Sequence, residues 1–237
     1  MRRATCSALC LVTVWMGWPS SAGADDVHVG PSAMGAGDGR DWDNRAAWAS
    51  VPLVRGNEYV LASGTYGGRA LATPSDGTAI VIRKATRAAH GSDVGWGDAL
   101  ASGPATFVEA SLTISTDDWV IDGVTGGGPG AWRTGHGLLF TSAAGASLSY
   151  VDIADGVANV VVRHAAFTQT GDTPATGAFV NAFSDVGALL GSTFEYCDVD
   201  LISGLPFFLR EGSGNFIQYN YLGDICGASV FDADQHC

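Results

Sequence analysis

The sequence contains a single lysine, Lys84, and only 12 basic residues against 24 acidic ones. With no Lys/Arg cluster and a net charge of −12, the chain repels phosphate backbones, which excludes a nucleic-acid-binding surface. Charged residues make up 15% of the chain, where about 25% is usual, so a protein built from salt-bridged helical faces is excluded as well. Long apolar runs are missing: beyond residue 24 no stretch reaches the ~18 residues a membrane helix needs. No phosphate loop, nucleophile elbow, dinucleotide fingerprint or zinc-type cysteine spacing occurs.

What is abundant is glycine. The 237 residues include 33 glycines, about twice the usual share, without the three-residue period of collagen. An apolar content of 46% leaves enough material for a sizeable core and excludes wholesale disorder. Together with the excess of Thr, Ser, Val and Asp, this composition predicts many short strands joined by tight turns.

Residues 1–24 read as a secretory signal. Arg2 and Arg3 form a basic start, Ala4 to Met16 an apolar run, and Ala22-Gly23-Ala24 a small-residue cleavage site. The expected location is therefore extracellular or periplasmic. Removal of the two arginines takes the net charge from −12 to −14. Cys6 and Cys10 leave with the signal. Of the remaining three cysteines, Cys226 and Cys237 close a short loop and are the expected disulfide, while Cys197 reads as a small buried hydrophobe. Secreted acidic proteins often bind calcium, which leaves Ca2+ as the candidate cofactor, with none as the alternative.

Along the chain, Val27-His28-Val29, Glu58 to Ala62 and Ala79 to Arg83 read as strands. Trp42 to Ser50 has the spacing of a short helix with Trp42, Ala46 and Ala49 on one side. Ser63 to Gly68 reads as a turn, and Thr86 to Gly103 as a loop. From Thr106 onward strands and turns alternate.

That second half repeats. WVIDGV (119–124), VVVRHA (160–165), STFEYC (192–197) and NFIQYN (215–220) superpose on one template. Their anchors Ile121, Val162, Phe194 and Ile217 are separated by 41, 32 and 23 residues. A second series, ending at Phe140, Val180, Leu209 and Phe231, interleaves at spacings of 40, 29 and 22. A shrinking repeat of two or three short strands, with variable insertions at the corners, predicts a parallel β-helix whose coils share one core. In that register Asp122, Arg163, Glu195 and Gln218 point outward in one column. His164 falls at an inward or corner position, His136 in a turn, and Asn220 at a corner where its amide bonds to the turn backbone. Trp42 and Trp48 are expected to cover the N-terminal end. Trp96 and Trp132 are candidate sugar-stacking platforms.

The stretches HVGPSAMGAGDGRDWDNRAAW (28–48), GNEYVLASGTY (56–66), GTAIVIRKAT (77–86) and DWVIDGV (118–124) resemble the openings of secreted right-handed parallel β-helix proteins of the pectin-lyase-like superfamily. The resemblance implies an all-β, right-handed solenoid spanning residues 25–237 behind the signal. A small N-terminal cap and the first coils would occupy 25–105, and repeating coils 106–237. It further implies action on, or binding of, an extracellular polysaccharide, through lyase or hydrolase chemistry on an acidic glycan. The alternative is a non-catalytic surface, adhesive or glycan-binding solenoid.

Lyases of that superfamily pair a base with groups that neutralise a uronate carboxylate. On this reading Arg210 and Glu211 are the catalytic candidates. Asn181 and His236 would bind substrate, and Asp232 and Asp234 would hold calcium. The pairs Asp117-Asp118 and Asp152 with Asp155 are a second source of carboxylates. A monomer is expected. The segment FDADQHC (231–237) breaks off inside what reads as a fresh coil, so further coils are expected beyond Cys237.

Overall fold

The computed structural model describes residues 25–143, 146–170, 180–185 and 187–223. They form a stack of coils, each contributing one short strand to each of three parallel sheets. Glu58–Leu61, Gly64–Tyr66 and Arg69–Leu71 make one complete coil, and Ile80–Lys84, Ala105–Val108 and Leu112–Ile114 the next. Trp119–Asp122, Leu138–Ala143 and Leu148–Ile153 follow, then Val160–Arg163, Ala165–Thr170 and Val180–Asp185. Thr193–Glu195, Asp198–Asp200 and Phe207–Phe208 form a further coil, and Phe216–Gln218 with Tyr221–Leu222 begin another. Asp26–Gly30 and Ala46–Ala47 extend the first sheet at its other end. All pairing between these strands is parallel, so the chain is a β-solenoid.

The stack holds because equivalent residues of successive coils meet in register, buried in each coil before the last described one, where Ile217 and Leu222 are exposed. On the first sheet Tyr59, Ile82, Ile121, Val162, Phe194 and Ile217 align. The four anchors read from the sequence repeat are therefore one column. On the second sheet the column is Tyr66, Phe107, Phe140, Phe167, Val199 and Leu222. Phe107 stacks on Phe140 at 4.8 Å and Phe140 on Phe167 at 4.9 Å between centroids, both within 11° of parallel. The interstrand spacing of a sheet is thus also the stacking distance of its aromatics.

The interleaved second series needs correction. Phe140 belongs to the second sheet, but Val180 belongs to the third, Leu209 follows that sheet's strand Phe207–Phe208, and Phe231 lies outside the described residues. Strands of both sheets alternate in and out alike, and only the lengths of the intervening corners tell them apart. Two local expectations also change. Residues 42–50 contain no helix; Ala46–Ala47 pair with Val29 and Gly30 as a strand. Trp42 and Trp48 are both buried but in different places. Trp48 lies in the main core near Tyr66 and Phe107, and Trp42 lies outside the first sheet against Val60, Ala62 and Ala85. Ser63 to Gly68 contains the strand Gly64–Tyr66, whose tyrosine hydroxyl donates to the Ala62 carbonyl at 2.8 Å.

The corner between the first and second sheets varies most along the stack. In two successive coils it carries long insertions, residues 85–104 and 123–137. Further along it shrinks to a tight bend at His164, Tyr196 and Tyr219, with φ of 56°, 54° and 56°. Side chains seldom adopt this left-handed conformation, and here they stack, His164 on Tyr196 at 5.1 Å and Tyr196 on Tyr219 at 5.4 Å. Gly123 aligns with them, where a Cβ would collide with the His164 carbonyl oxygen.

Candidate functional site

Arg210 and Glu211 lie at a different corner, where the third sheet returns to the first. Arg210 follows the strand Phe207–Phe208 and places its guanidinium 5.4 Å from the Phe208 ring centroid. Both Arg210 and Glu211 are exposed. Glu211 opens the strand Glu211–Ser213, which pairs in parallel with Ala188–Leu190 in a small fourth sheet at this corner. Among the described residues Arg210 makes no ion pair.

The structure adds two carboxyls that sequence spacing does not join to this pair. Asp185 aligns with Ile153 and so takes an inward place that isoleucines fill at Ile114 and Ile153. It is fully buried; its Oδ1 accepts the Gly187 N–H at 2.8 Å, and its Oδ2 has no hydrogen-bond partner among the described residues. Burial raises its pKa above the ordinary carboxylate value. The Gly187 N–H opposes that rise, the charges of Asp155 and Glu211 reinforce it, and that of Arg210 opposes it. Asp155 accepts the Ala188 N–H at 2.7 Å. Asp155, Asp185, Arg210 and Glu211 thus belong to one electrostatic neighbourhood. Its cation, Arg210, is exposed and makes no ion pair among the described residues, and burial raises the pKa of its enclosed acid, Asp185.

The other candidates fall elsewhere. Asn181 lies on the third sheet with its amide oxygen accepting the Leu205 N–H at 2.8 Å, so that atom is engaged in turn structure. His236, Asp232 and Asp234 lie outside the described residues, as do Cys226 and Cys237. Among the described residues no group of three or more His, Cys, Asp and Glu is arranged to hold a metal ion. Asp117 and Asp118 serve corner structure, accepting from the Ala158 N–H at 2.8 Å and the Asn159 amide at 3.0 Å. No helix of the described residues is long and apolar enough to cross a membrane.

The outward column of the first sheet is an internally satisfied charge ladder. Arg163 donates to Asp122 through Nε and lies 3.9 Å from Glu195, and Gln218 donates to Glu195 at 3.0 Å. At its far end Arg83 pairs with Glu58. On the second sheet Arg133, from the 123–137 insertion, pairs with Asp200 and lies 4.8 Å from the Tyr221 ring centroid. Of the candidate platforms, Trp96 stacks on His90 at 4.1 Å and packs beside Trp42, so it is part of the covering of the first sheet. Asn220 bridges coils, accepting the Cys197 N–H and donating to the Phe194 carbonyl, both at 2.9 Å.

His136 departs furthest from what its sequence position suggests. Read in the sequence as a turn residue, it is buried and lines a cleft with Lys84. The only sequence signal for that cleft is Lys84 itself, a lone lysine in an acidic chain. The signal for Asp185 is an aspartate closing an otherwise apolar strand.

Compared with known proteins, the chain matches no family model, no curated protein and no solved structure.

Proposed function

We propose that the chain is a secreted, right-handed parallel β-helix protein of the pectin-lyase-like kind, with an N-terminal cap, that acts on acidic extracellular polysaccharide. The observation that carries the site is Arg210: an exposed guanidinium with no close ion pair among the described residues, set over Phe208 beside Asp185 and Glu211. In a chain of net charge −12, such a cation suits recognition of a uronate carboxylate, which a guanidinium can grip through two parallel N–H bonds. Glu211, exposed next to Arg210, would accept a proton or a hydrogen bond from a sugar hydroxyl. The signal at residues 1–24 supports export, and the stacked parallel coils suit an extended polymer. Calcium, if used, would draw on Asp232 and Asp234.

A second reading, glycan binding without bond cleavage, is favoured by one observation. Asp185 points into the core, so the acid of this neighbourhood is not presented to a substrate.

The test is incubation with pectate, alginate and chondroitin, with and without Ca2+, following binding and the absorbance of unsaturated products. Retention on these polymers but not on neutral dextran is the expected result. Arg210→Ala should weaken that retention by about tenfold, the scale of a charge-assisted contact. Absence of binding to every acidic polymer would overturn the reading. Binding without product formation selects the non-catalytic form.

A further inference from the structure

The insertions 85–104 and 123–137 leave the same corner in successive coils, and between them lies a cleft of about 410 Å³. Its walls include Lys84, Thr86, Arg87, Ser102, Thr125 and His136, with backbone from Gly103, Gly135 and Gly137. The chain carries 24 acidic residues to 12 basic ones, yet among the described residues no Asp or Glu lines this cleft.

Two groups in it lack what their chemistry requires. Lys84 is 2% exposed and has no ion pair among the described residues. Its ammonium donates to the Ala85 carbonyl at 2.8 Å and the Leu100 carbonyl at 3.1 Å, which uses two of its three N–H groups. Burial with no compensating charge brings its pKa down to about 8. A buried cation without a counter-ion is costly, and an anion beside it relieves that cost. His136 is 9% exposed, and its Nε2 is buried with no hydrogen-bond partner among the described residues. Burial also holds its pKa below the ordinary histidine value, against the pull of the Tyr196 backbone and with that of His164, so the ring is neutral at physiological pH. The remaining cation, Arg87, is exposed and pairs with Asp98 at 3.2 Å.

We propose that this cleft binds a carboxylate-bearing sugar unit, its carboxylate compensating the Lys84 ammonium and a hydroxyl meeting His136 Nε2. Its volume falls in the lower part of the range for small-molecule sites. The sugar part of the ligand rests on the acidic-glycan reading above; the anionic part does not depend on it. The cleft and the Arg210 corner lie on different edges of the solenoid, so a long polymer could engage both, or either alone.

Because Lys84 is the only lysine, protein labelled with [13C]lysine gives one side-chain Cε signal, whose titration reports this ammonium alone. Glucuronate, glucose and acetate are the probes. Glucuronate should move the Lys84 midpoint up from about 8 toward the ordinary lysine value, while glucose leaves it in place. An equal midpoint with glucuronate and glucose would overturn the proposal, and an equal shift with acetate would overturn its sugar component. His136→Ala, which leaves Lys84 and its carbonyl contacts intact, should weaken glucuronate binding by roughly 3–10-fold, the worth of one hydrogen bond; unchanged affinity would remove His136 from the site. The shift should persist in Arg210→Ala, so failure at the Arg210 corner and failure at the cleft give different results.

Discussion

Arg163 reaches one coil back to Asp122, placing both Nε and Nη2 2.9 Å from the same carboxylate oxygen. The same guanidinium leans toward Glu195 on the next coil. One cation therefore bridges three coils on the outer face of the first sheet.

Removing that bridge by Arg163→Gln should cost about 1 kcal/mol, since the pair is part-exposed and water screens it. Arg163→Glu should cost more, because it sets a third carboxylate between Asp122 and Glu195. Urea denaturation at low salt would measure both. The gap between the two variants should narrow at high salt, as screening weakens the repulsion.

The aromatic column is the larger store of stability. Phe140 is fully buried between Phe107 and Phe167, so Phe140→Ala should cost roughly 3–5 kcal/mol through lost transfer energy and a cavity. Phe140→Leu should cost distinctly less. Paired equilibrium unfolding curves would give the difference.

Asp185 makes a signed prediction for pH. Its folded-state pKa lies above its unfolded value, so the folded protein holds the proton more tightly. The contribution is fully present below the unfolded pKa and is lost as pH rises through the folded one. Asp185→Asn keeps an oxygen to accept the Gly187 N–H while removing the buried charge. It should raise the unfolding midpoint at about pH 7 and change it little at about pH 4. A thermal melt series across that range checks the sign, and equal effects at both ends would refute it.

Cys197 should resist modification in the native state. Burial pushes its thiol pKa up to about 12, and the side chain is 1% exposed. Native iodoacetamide treatment followed by peptide mass mapping should leave Cys197 unlabelled, and labelling should appear only once the protein is unfolded.

Much of the first sheet is legible in the sequence because its signal is local. Ile121, Val162, Phe194 and Ile217 each sit mid-strand on one template, and Asp122, Arg163, Glu195 and Gln218 follow one residue later, so inside and outside are read from alternation alone. The second and third sheets are not separable this way. Whether Phe140 stacks under Phe167 or Val180 depends on how many residues each corner absorbs, and alternation carries no record of that. The Trp42–Ser50 spacing misleads because it reads as a helix with Trp42, Ala46 and Ala49 on one side, whereas Ala46–Ala47 is a strand and the two tryptophans are buried in different clusters.

For the site, the Arg210-Glu211 pair is visible in the sequence, and the fold sets Asp155 and Asp185 beside it. The cleft at Lys84 and His136 is invisible in sequence, because its residues are 52 positions apart and meet only where two corner insertions rise from adjacent coils. Composition and alternation determined that short strands would stack with an apolar inside and a charged outside. The tertiary structure decided which coils neighbour each other, and therefore that Lys84 is buried without an ion pair among the described residues.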